Sequence, residues 1–224
     1  MSASVVPDFV RLRRPSHAPS TRAQGDERAA SAKSAAAIGP WLDRARAAGT
    51  SVRALEELGL MLHLYAGFPA TIEFLRALRA WQGNATAARA AARPSPVPSP
   101  SRVPARTQRA WRAKGEELCE RVYGPEYEPL RAFTRRLHPE IDTWMIVDGY
   151  GKTLSRPGLG VLDRELATVA ALATLGWPRQ LAAHRAGAMR VGASARAVRE
   201  AESLGRRAGA IPRARAERPA RRRA

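Results

Sequence analysis

A tight corner, Gly176-Trp177-Pro178, separates two segments of helical pattern in the second half of the chain. Glycine accepts the left-handed backbone that ends many helices, and proline fits the first turn of a new one. The pattern therefore predicts a helical hairpin, with helices over residues 162–175 and 178–191. A third helix over 195–204 follows, and Ser194 can cap its first turn.

The composition favours helices throughout. Only 6% of the 224 residues are aromatic, and alanine, leucine and arginine dominate, whereas β-rich folds require valine, isoleucine, threonine and aromatic rings. The hydrophobic share of 45% is enough for a buried core. We expect an all-α fold of one or two domains.

A pair of helices is also predicted near the N-terminal end. Thr50 or Ser51 can cap the first helix, and Gly67 with Pro69 marks a break before the second, which Gly83 ends. The second helix has one apolar stripe, formed by Ile72, Phe74, Leu75, Leu78 and Trp81.

Three further helices are predicted between these pairs. Two cover residues 107–122 and 127–137, and the third begins at Pro139 and ends near Gly149 or Gly151. The run Pro-Ser-Pro-Val-Pro-Ser-Pro at 94–100 cannot sustain a helix or a central strand, so it predicts a linker.

These patterns divide the chain into five parts. Residues 49–57 resemble residues 192–200, so we interpret the helices as two copies of one module. In this alignment Trp41 stands where the second copy has His184, and the second copy lacks the closing helices. The parts are a disordered basic segment (1–39), a partial first helical module (40–83), a linker (84–106), a second helical module with a Glu/His hairpin (107–205) and a disordered Arg-rich tail (206–224).

The formal net charge of +18 lies mostly outside the predicted helical modules. Residues 1–39 hold six cations and three anions, residues 82–115 hold seven cations and no anion, and the tail from Arg206 holds eight cations and one anion. The modules are close to neutral, so a basic groove built into the fold is not supported. Nucleic acid is not an expected partner, beyond nonspecific contacts of the Arg-rich ends.

Cys119 is the single cysteine, which excludes an intramolecular disulfide, a Cys-x-x-Cys redox pair and a cysteine-rich zinc site. The first residues contain no apolar segment typical of a secretion signal, and the most apolar stretch, 59–72, is short and interrupted. We expect a cytoplasmic protein that does not span a membrane.

Glu165 and His184 are the strongest candidates for chemistry. They lie on the two helices of the predicted hairpin, and a rise of about 1.5 Å per residue places their backbones within roughly 5 Å of the same height. A carboxylate that fixes the tautomer of an imidazole makes a proton shuttle near neutral pH. The alternative is that Glu165 pairs with a neighbouring arginine while His184 packs in the core among small residues.

Other chemical sites have little support in the sequence. One histidine and one glutamate are too few ligands for a zinc site, so no metal or other cofactor is expected. His63 and His138 have no helical partner at metal-ligand spacing, which favours packing or helix-end roles. The chain contains no Gly-x-Gly-x-x-Gly, phosphate-binding loop or Gly-x-Ser-x-Gly motif at a suitable place.

The hairpin resembles that of the carboxymuconolactone decarboxylase-like family, which also contains alkyl hydroperoxidase D. The resemblance extends over residues 40–81 and 107–204. The residues that carry it are Arg164-Glu-Leu166, Gln180-Leu181, His184, Gly187-Ala188, Gly192-Ala-Ser194, Tyr150-Gly151, Arg156-Pro-Gly-Leu159, Glu56-Glu57 and Tyr65-Ala-Gly-Phe-Pro69.

The resemblance implies an all-α fold, assembly into trimers or hexamers, and a site near the helix of His184. Glu165 and His184 fall on the family's Glu and His positions, while Trp177 and Gln180 occupy the two cysteine positions of the peroxidase branch. Without a thiolate and its resolving partner, that peroxide chemistry cannot run. Cys119 lies elsewhere, and a packing role is the simpler interpretation.

The decarboxylase branch of the family needs no cysteine. The resemblance therefore implies decarboxylation or isomerisation of a small carboxylated lactone or dienoic acid, with His184 as acid and base and Glu165 as its orienting partner. A degenerate member that serves only as an oligomeric scaffold is the alternative. Five side chains are candidates to bind the substrate: Arg164, Arg179, Arg185, Trp177 and Gln180. The alternative for each of the three arginines is an ordinary position on an exposed helix face.

Overall fold

The structure is a computed structural model that describes residues 38–85 and 105–210. Both ranges consist of helices and the turns between them, without a β-strand, which confirms the all-α prediction. The α-helices are α1 (38–47), α2 (Val52–Ala85), α3 (Ala105–Tyr123), α4 (Tyr127–Leu137), α5 (Pro139–Trp144), α6 (Val161–Leu175), α7 (Pro178–Arg190) and α8 (Ala195–Ala210). A 3-10 turn (Gly124–Glu126) precedes α4, and a π-helix (Met145–Leu154) follows α5.

Much of the predicted low-complexity sequence lies outside the described residues. This holds for the basic segment 1–39, the linker 84–106 and the tail 206–224, except at their edges. At those edges the structure is helical: α2 reaches Ala85, α3 begins at Ala105, and α8 continues to Ala210, past the predicted end at Leu204.

Helix α6 is the centre of the fold. Each of its residues from Arg164 to Ala173 is buried, and the helix packs against α2, α7 and α8. A helix that is surrounded on all sides can be apolar around its whole circumference, which explains the long alanine- and leucine-rich run. The two charged residues inside this buried stretch, Arg164 and Glu165, therefore need partners from other elements.

Helix α2 bends where the sequence predicts a break. Gly67 has φ 80° and ψ 170°, outside the helical range, and Pro69 begins the second half. The predicted cap is confirmed, since the Oγ of Ser51 accepts a hydrogen bond from the Ala54 amide at 3.1 Å. Of the predicted stripe, Phe74, Leu78 and Trp81 are buried, whereas Ile72 is exposed, because helical geometry places it away from the face that Ala70, Thr71 and Phe74 share.

Part of α2 resembles a membrane span in length and composition. Among the described residues one helix, Val52–Gly83, meets such a criterion, with a mean hydropathy of 1.3. The Gly67 bend interrupts it, and its buried residues, among them Leu58, Leu62 and Phe74, belong to the same core as α6. Its place in the fold is that of a core helix.

The predicted helix from Pro139 does not end at Gly149 or Gly151 but continues as the π-helix to Leu154. Gly151 does not end the helix but allows a close backbone contact, because a Cβ on it would lie 2.0 Å from the carbonyl oxygen of Trp111. A Cβ on Gly115 would likewise lie 2.1 Å from the carbonyl oxygen of Ile146. These two glycines let α3 and the π-helix pack backbone to backbone, which fixes the position of Tyr150 relative to α3.

A buried ion cluster joins α2 to α6. The Glu57 carboxylate accepts from Arg156 at 2.9 Å and from the Nη2 atom of Arg164 at 3.2 Å. Arg164 also donates to the carbonyl oxygens of Arg156 and Leu159. Its side chain is only 2% exposed, and its Nη1 atom has no hydrogen-bond partner among the described residues.

We predict that Glu57→Gln destabilises the protein by about 3 to 5 kcal/mol, because it leaves the Arg164 guanidinium buried without a countercharge. The adjacent variant Glu56→Gln is the control, and its effect should stay within about 0.5 kcal/mol. Urea unfolding followed by circular dichroism measures both. Equal midpoints for the two variants would show that Glu57 does not neutralise Arg164.

Candidate active site

The predicted hairpin is present and brings Glu165 and His184 together. Gly176 ends α6 in the left-handed conformation, with φ 73° and ψ 37°, and Pro178 begins α7. The Nδ1 atom of His184 lies 2.8 Å from the Oε2 atom of Glu165, and the two side chains are 9% and 3% exposed. The alternative that pairs Glu165 with a neighbouring arginine is wrong, since the adjacent Arg164 binds Glu57.

Small residues let the two helices approach each other at this point. A Cβ on Gly187 would lie 3.1 Å from the Oε2 atom of Glu165 and 2.8 Å from a side-chain methyl of Val122. His184 itself is buried on the same face as Gly187 and Ala188. His184 is therefore packed in the core among small residues, as the alternative expects. Its hydrogen bond to Glu165 nevertheless determines which ring nitrogen donates and which accepts.

The hydrogen bond to Glu165 assigns the tautomer of His184. A carboxylate only accepts, so the Nδ1 atom carries the proton that is donated to it. In the neutral ring the Nε2 atom is then an acceptor, and this atom faces the Tyr123 hydroxyl at 3.5 Å. The Tyr123 and His184 rings also meet edge to face, with their centroids 5.8 Å apart.

Three tyrosines from three different elements lie close enough to Glu165 for its charge to act on them, and we call these three residues the tyrosine shell. Tyr123 ends α3, Tyr150 comes from the π-helix, and Tyr65 comes from α2. The Tyr123 and Tyr150 rings lie edge to face at 6.4 Å, and the Tyr65 hydroxyl bonds the Thr168 hydroxyl at 2.9 Å on α6. The pair therefore sits in a polar but largely uncharged environment.

Burial keeps these side chains protonated. Desolvation raises the pKa of Tyr123 to about 12 and raises the pKa of Tyr65 and of Tyr150 above the usual range for tyrosine. The negative charge of Glu165 acts in the same direction on all three. Burial also raises the pKa of the Cys119 thiol to about 12, so this cysteine stays a neutral packing residue at physiological pH.

The five candidate substrate-binding residues occupy different environments. Arg164 is buried in the ion cluster with Glu57, so a surface position is wrong for it. Arg179 and Gln180 are exposed at the start of α7. Arg185 is exposed and lies 3.3 Å from Glu202, and Trp177 is 56% exposed at the corner. Only Glu165 and His184 among the predicted site residues share a hydrogen bond.

Sequence patterns do not predict the tyrosine shell. Tyr123 directly follows the predicted helix over 107–122, and no motif contains it. No spacing along the chain predicts that these three residues come near Glu165 in the fold. The available signal is that Tyr65 and Tyr150 stand in segments that carry the family resemblance.

The two other described histidines have the roles expected of them. His138 caps α5, since its Nδ1 atom accepts from the Glu140 amide at 3.1 Å, and the His63 ring stacks on Phe68. Within residues 38–85 and 105–210, no group of three or more His, Cys, Asp or Glu side chains is arranged to hold a metal ion.

We predict that the folded protein shows little tyrosinate at pH 10.0, the ordinary pKa of tyrosine, because all four tyrosines have raised pKa values. The unfolded chain loses these protons first, so the free energy of unfolding should fall as pH rises from 10 to 12. Ultraviolet titration of tyrosinate with and without denaturant measures this difference. Half-ionised tyrosines in the folded protein at pH 10.0 would contradict it.

Comparison with known families gives one match. Residues 142–221 match the model of the carboxymuconolactone decarboxylase family. No curated protein and no solved structure matches the chain. The matched range begins at Asp142 in α5 and contains Tyr150, Glu165 and His184, whereas Tyr65 and Tyr123 lie before it. Residues 142–221 of the chain are thus similar to the carboxymuconolactone decarboxylase family, as the hairpin motifs predict.

Proposed function

We propose that the protein is a cofactor-free carboxy-lyase that decarboxylates or isomerises a small carboxylated lactone or dienoic acid. The observation that carries this proposal is the 2.8 Å hydrogen bond between Glu165 and the Nδ1 atom of His184. The family match adds the class of reaction, since the family is named after a decarboxylase. In this proposal His184 is the acid and base, and Glu165 orients its ring.

Decarboxylation needs a group that protonates carbon. When the bond to the carboxylate breaks, carbon dioxide leaves and its electron pair stays behind as an enolate or dienolate. A proton must then reach the carbon, so the reaction consumes one proton for each carbon dioxide released. The Nε2 atom of a protonated His184 can donate this proton, and the Glu165 carboxylate stabilises the imidazolium that precedes the transfer. Solvent then restores the proton.

The substrate carboxylate needs a cationic partner near His184. Arg179, Gln180 and Trp177 lie within two turns before His184 and are exposed, so they can meet a ligand that approaches the start of α7. Arg185 follows His184 directly but already forms an ion pair with Glu202. Arg164 is committed to Glu57, and we assign it to holding α6 in place, with Nη1 as its remaining donor.

A scaffold role is the second candidate, and two observations favour it. His184 is buried, and both of its ring nitrogens face protein side chains. Four large apolar side chains are also exposed along α4 and α5: Phe133, Leu137, Ile141 and Trp144. We propose that this face contacts a second copy of the chain in a homo-oligomer, a trimer or a hexamer, because exposed apolar patches of this kind mark interaction surfaces.

Peroxide reduction of the alkyl hydroperoxidase type is disfavoured. Its two cysteine positions hold Trp177 and Gln180, and the remaining cysteine is buried on α3 with a raised pKa. We further propose that the protein acts in the cytoplasm and touches nucleic acid only through nonspecific contacts of its Arg-rich ends.

We predict that His184→Gln lowers carbon dioxide release by about 10²- to 10⁴-fold, because it removes the group that transfers the proton. The amide can still donate to Glu165, so the buried carboxylate keeps a partner and the variant should stay folded. Purified protein is screened against small carboxylated lactones and dienoic acids for carbon dioxide release, with thermal unfolding measured alongside.

The matched control is His138→Gln, a histidine outside the site that caps α5. It should leave the rate unchanged. A His184→Gln variant as active as the parent would contradict the catalytic role, and a parent without any turnover would favour the scaffold.

A further inference from the structure

The Tyr123 hydroxyl faces the ring nitrogen of His184 that does not bind Glu165. Its hydroxyl lies 3.5 Å from the Nε2 atom of His184, and its ring stands at 73° to the imidazole. The proton of the proposed reaction passes through that nitrogen. A substrate whose carbon is protonated from Nε2 must therefore lie against the Tyr123 hydroxyl as well.

Tyr123 is also partly accessible to solvent, as Tyr65 is. Glu165, His184 and Tyr150 are buried, whereas Tyr123 is half-buried. It ends α3 directly before the turn at Gly124, and Arg190 from α7 donates to the carbonyl oxygen of Val122 next to it. The end of α3 is thus fixed to the helix that carries His184, which holds the hydroxyl at the imidazole.

A second tyrosine packs against the first. The Tyr150 and Tyr123 rings meet edge to face, with their centroids 6.4 Å apart. Desolvation raises the pKa of Tyr123 to about 12, so its hydroxyl is a neutral donor at physiological pH. Neutral donors held in place beside a proton-transfer group are suited to stabilising an oxyanion as it forms.

We propose that Tyr123 is a catalytic residue, whose hydroxyl donates a hydrogen bond to the enolate oxygen of the substrate while His184 protonates the adjacent carbon. This inference rests on the proposed decarboxylation. The carbon–carboxylate bond breaks, its electron pair moves into the enolate, and carbon dioxide leaves. The proton on Nε2 goes to carbon, and the Tyr123 proton stays on its oxygen throughout.

The test compares Tyr123→Phe with Tyr127→Phe. Tyr127 is a buried tyrosine that bonds Arg131 away from His184, so its variant controls for the loss of a buried hydroxyl. In Tyr123→Phe we expect kcat to fall about 10- to 100-fold with little change in KM, the loss expected for a hydrogen bond to a charged oxygen that forms only in the transition state. Tyr127→Phe should keep the parental kcat.

A binding measurement separates this inference from the proposed reaction. The probe is 4-nitrophenolate, a planar oxyanion whose absorbance reports hydrogen bonding to its oxygen. We expect the parent to bind it with a shifted spectrum, Tyr123→Phe to bind it about 10- to 100-fold more weakly, and Tyr127→Phe to bind it like the parent.

Each outcome decides one of the two proposals. Tyr123-dependent binding of the probe by a protein that releases no carbon dioxide would retain the oxyanion site and overturn the decarboxylase. Turnover with an unchanged kcat in Tyr123→Phe would overturn the role of Tyr123 and retain the decarboxylase. A parent that does not bind the probe, or a Tyr123→Phe variant that binds it equally well, would overturn the oxyanion site.

Discussion

The hydrogen bond between Glu165 and His184 is the interaction on which the candidate site depends. A carboxylate that is nearly excluded from water is costly unless another group compensates it, and here the compensation comes across the hairpin from the next helix. Gly176 and Pro178 set the angle of that hairpin, and Gly187 lets the helices come close enough for the bond. The local backbone chemistry of the corner thus brings the Glu165 carboxylate to its hydrogen-bond partner.

Two adjacent charged residues of α6 have their partners on different helices. Arg164 binds Glu57 on α2, and Glu165 binds His184 on α7. Successive residues of a helix point in different directions, so this buried helix is tied to a neighbour on each side through residues that follow one another in sequence. The N-terminal helices therefore support the helix that carries the candidate catalytic carboxylate.

Much of this arrangement could be predicted from the sequence, because its signals are local. The Gly176-Trp177-Pro178 corner predicted the hairpin, helical rise placed Glu165 and His184 at one height, and Ser51 capped its helix as expected.

Contacts between distant segments could not be predicted in this way. The sequence leaves a surface position open for Arg164, because its partner Glu57 lies 107 residues away along the chain. Gly151 was interpreted as a helix end, although it serves a backbone contact with α3. The tyrosine shell is unpredictable for the same reason, since only the packing of α2, α3 and the π-helix brings Tyr65, Tyr123 and Tyr150 near Glu165.

The most direct test of the central pairing is NMR of the His184 ring nitrogens at neutral pH, in protein labelled with ¹⁵N-histidine and assigned through His184→Gln. The account predicts a proton on Nδ1 with a low-field resonance, which moves upfield in Glu165→Gln because a neutral amide is a weaker acceptor than a carboxylate. A ring that carries its proton on Nε2 alone, or a resonance that Glu165→Gln leaves in place, would contradict the pairing.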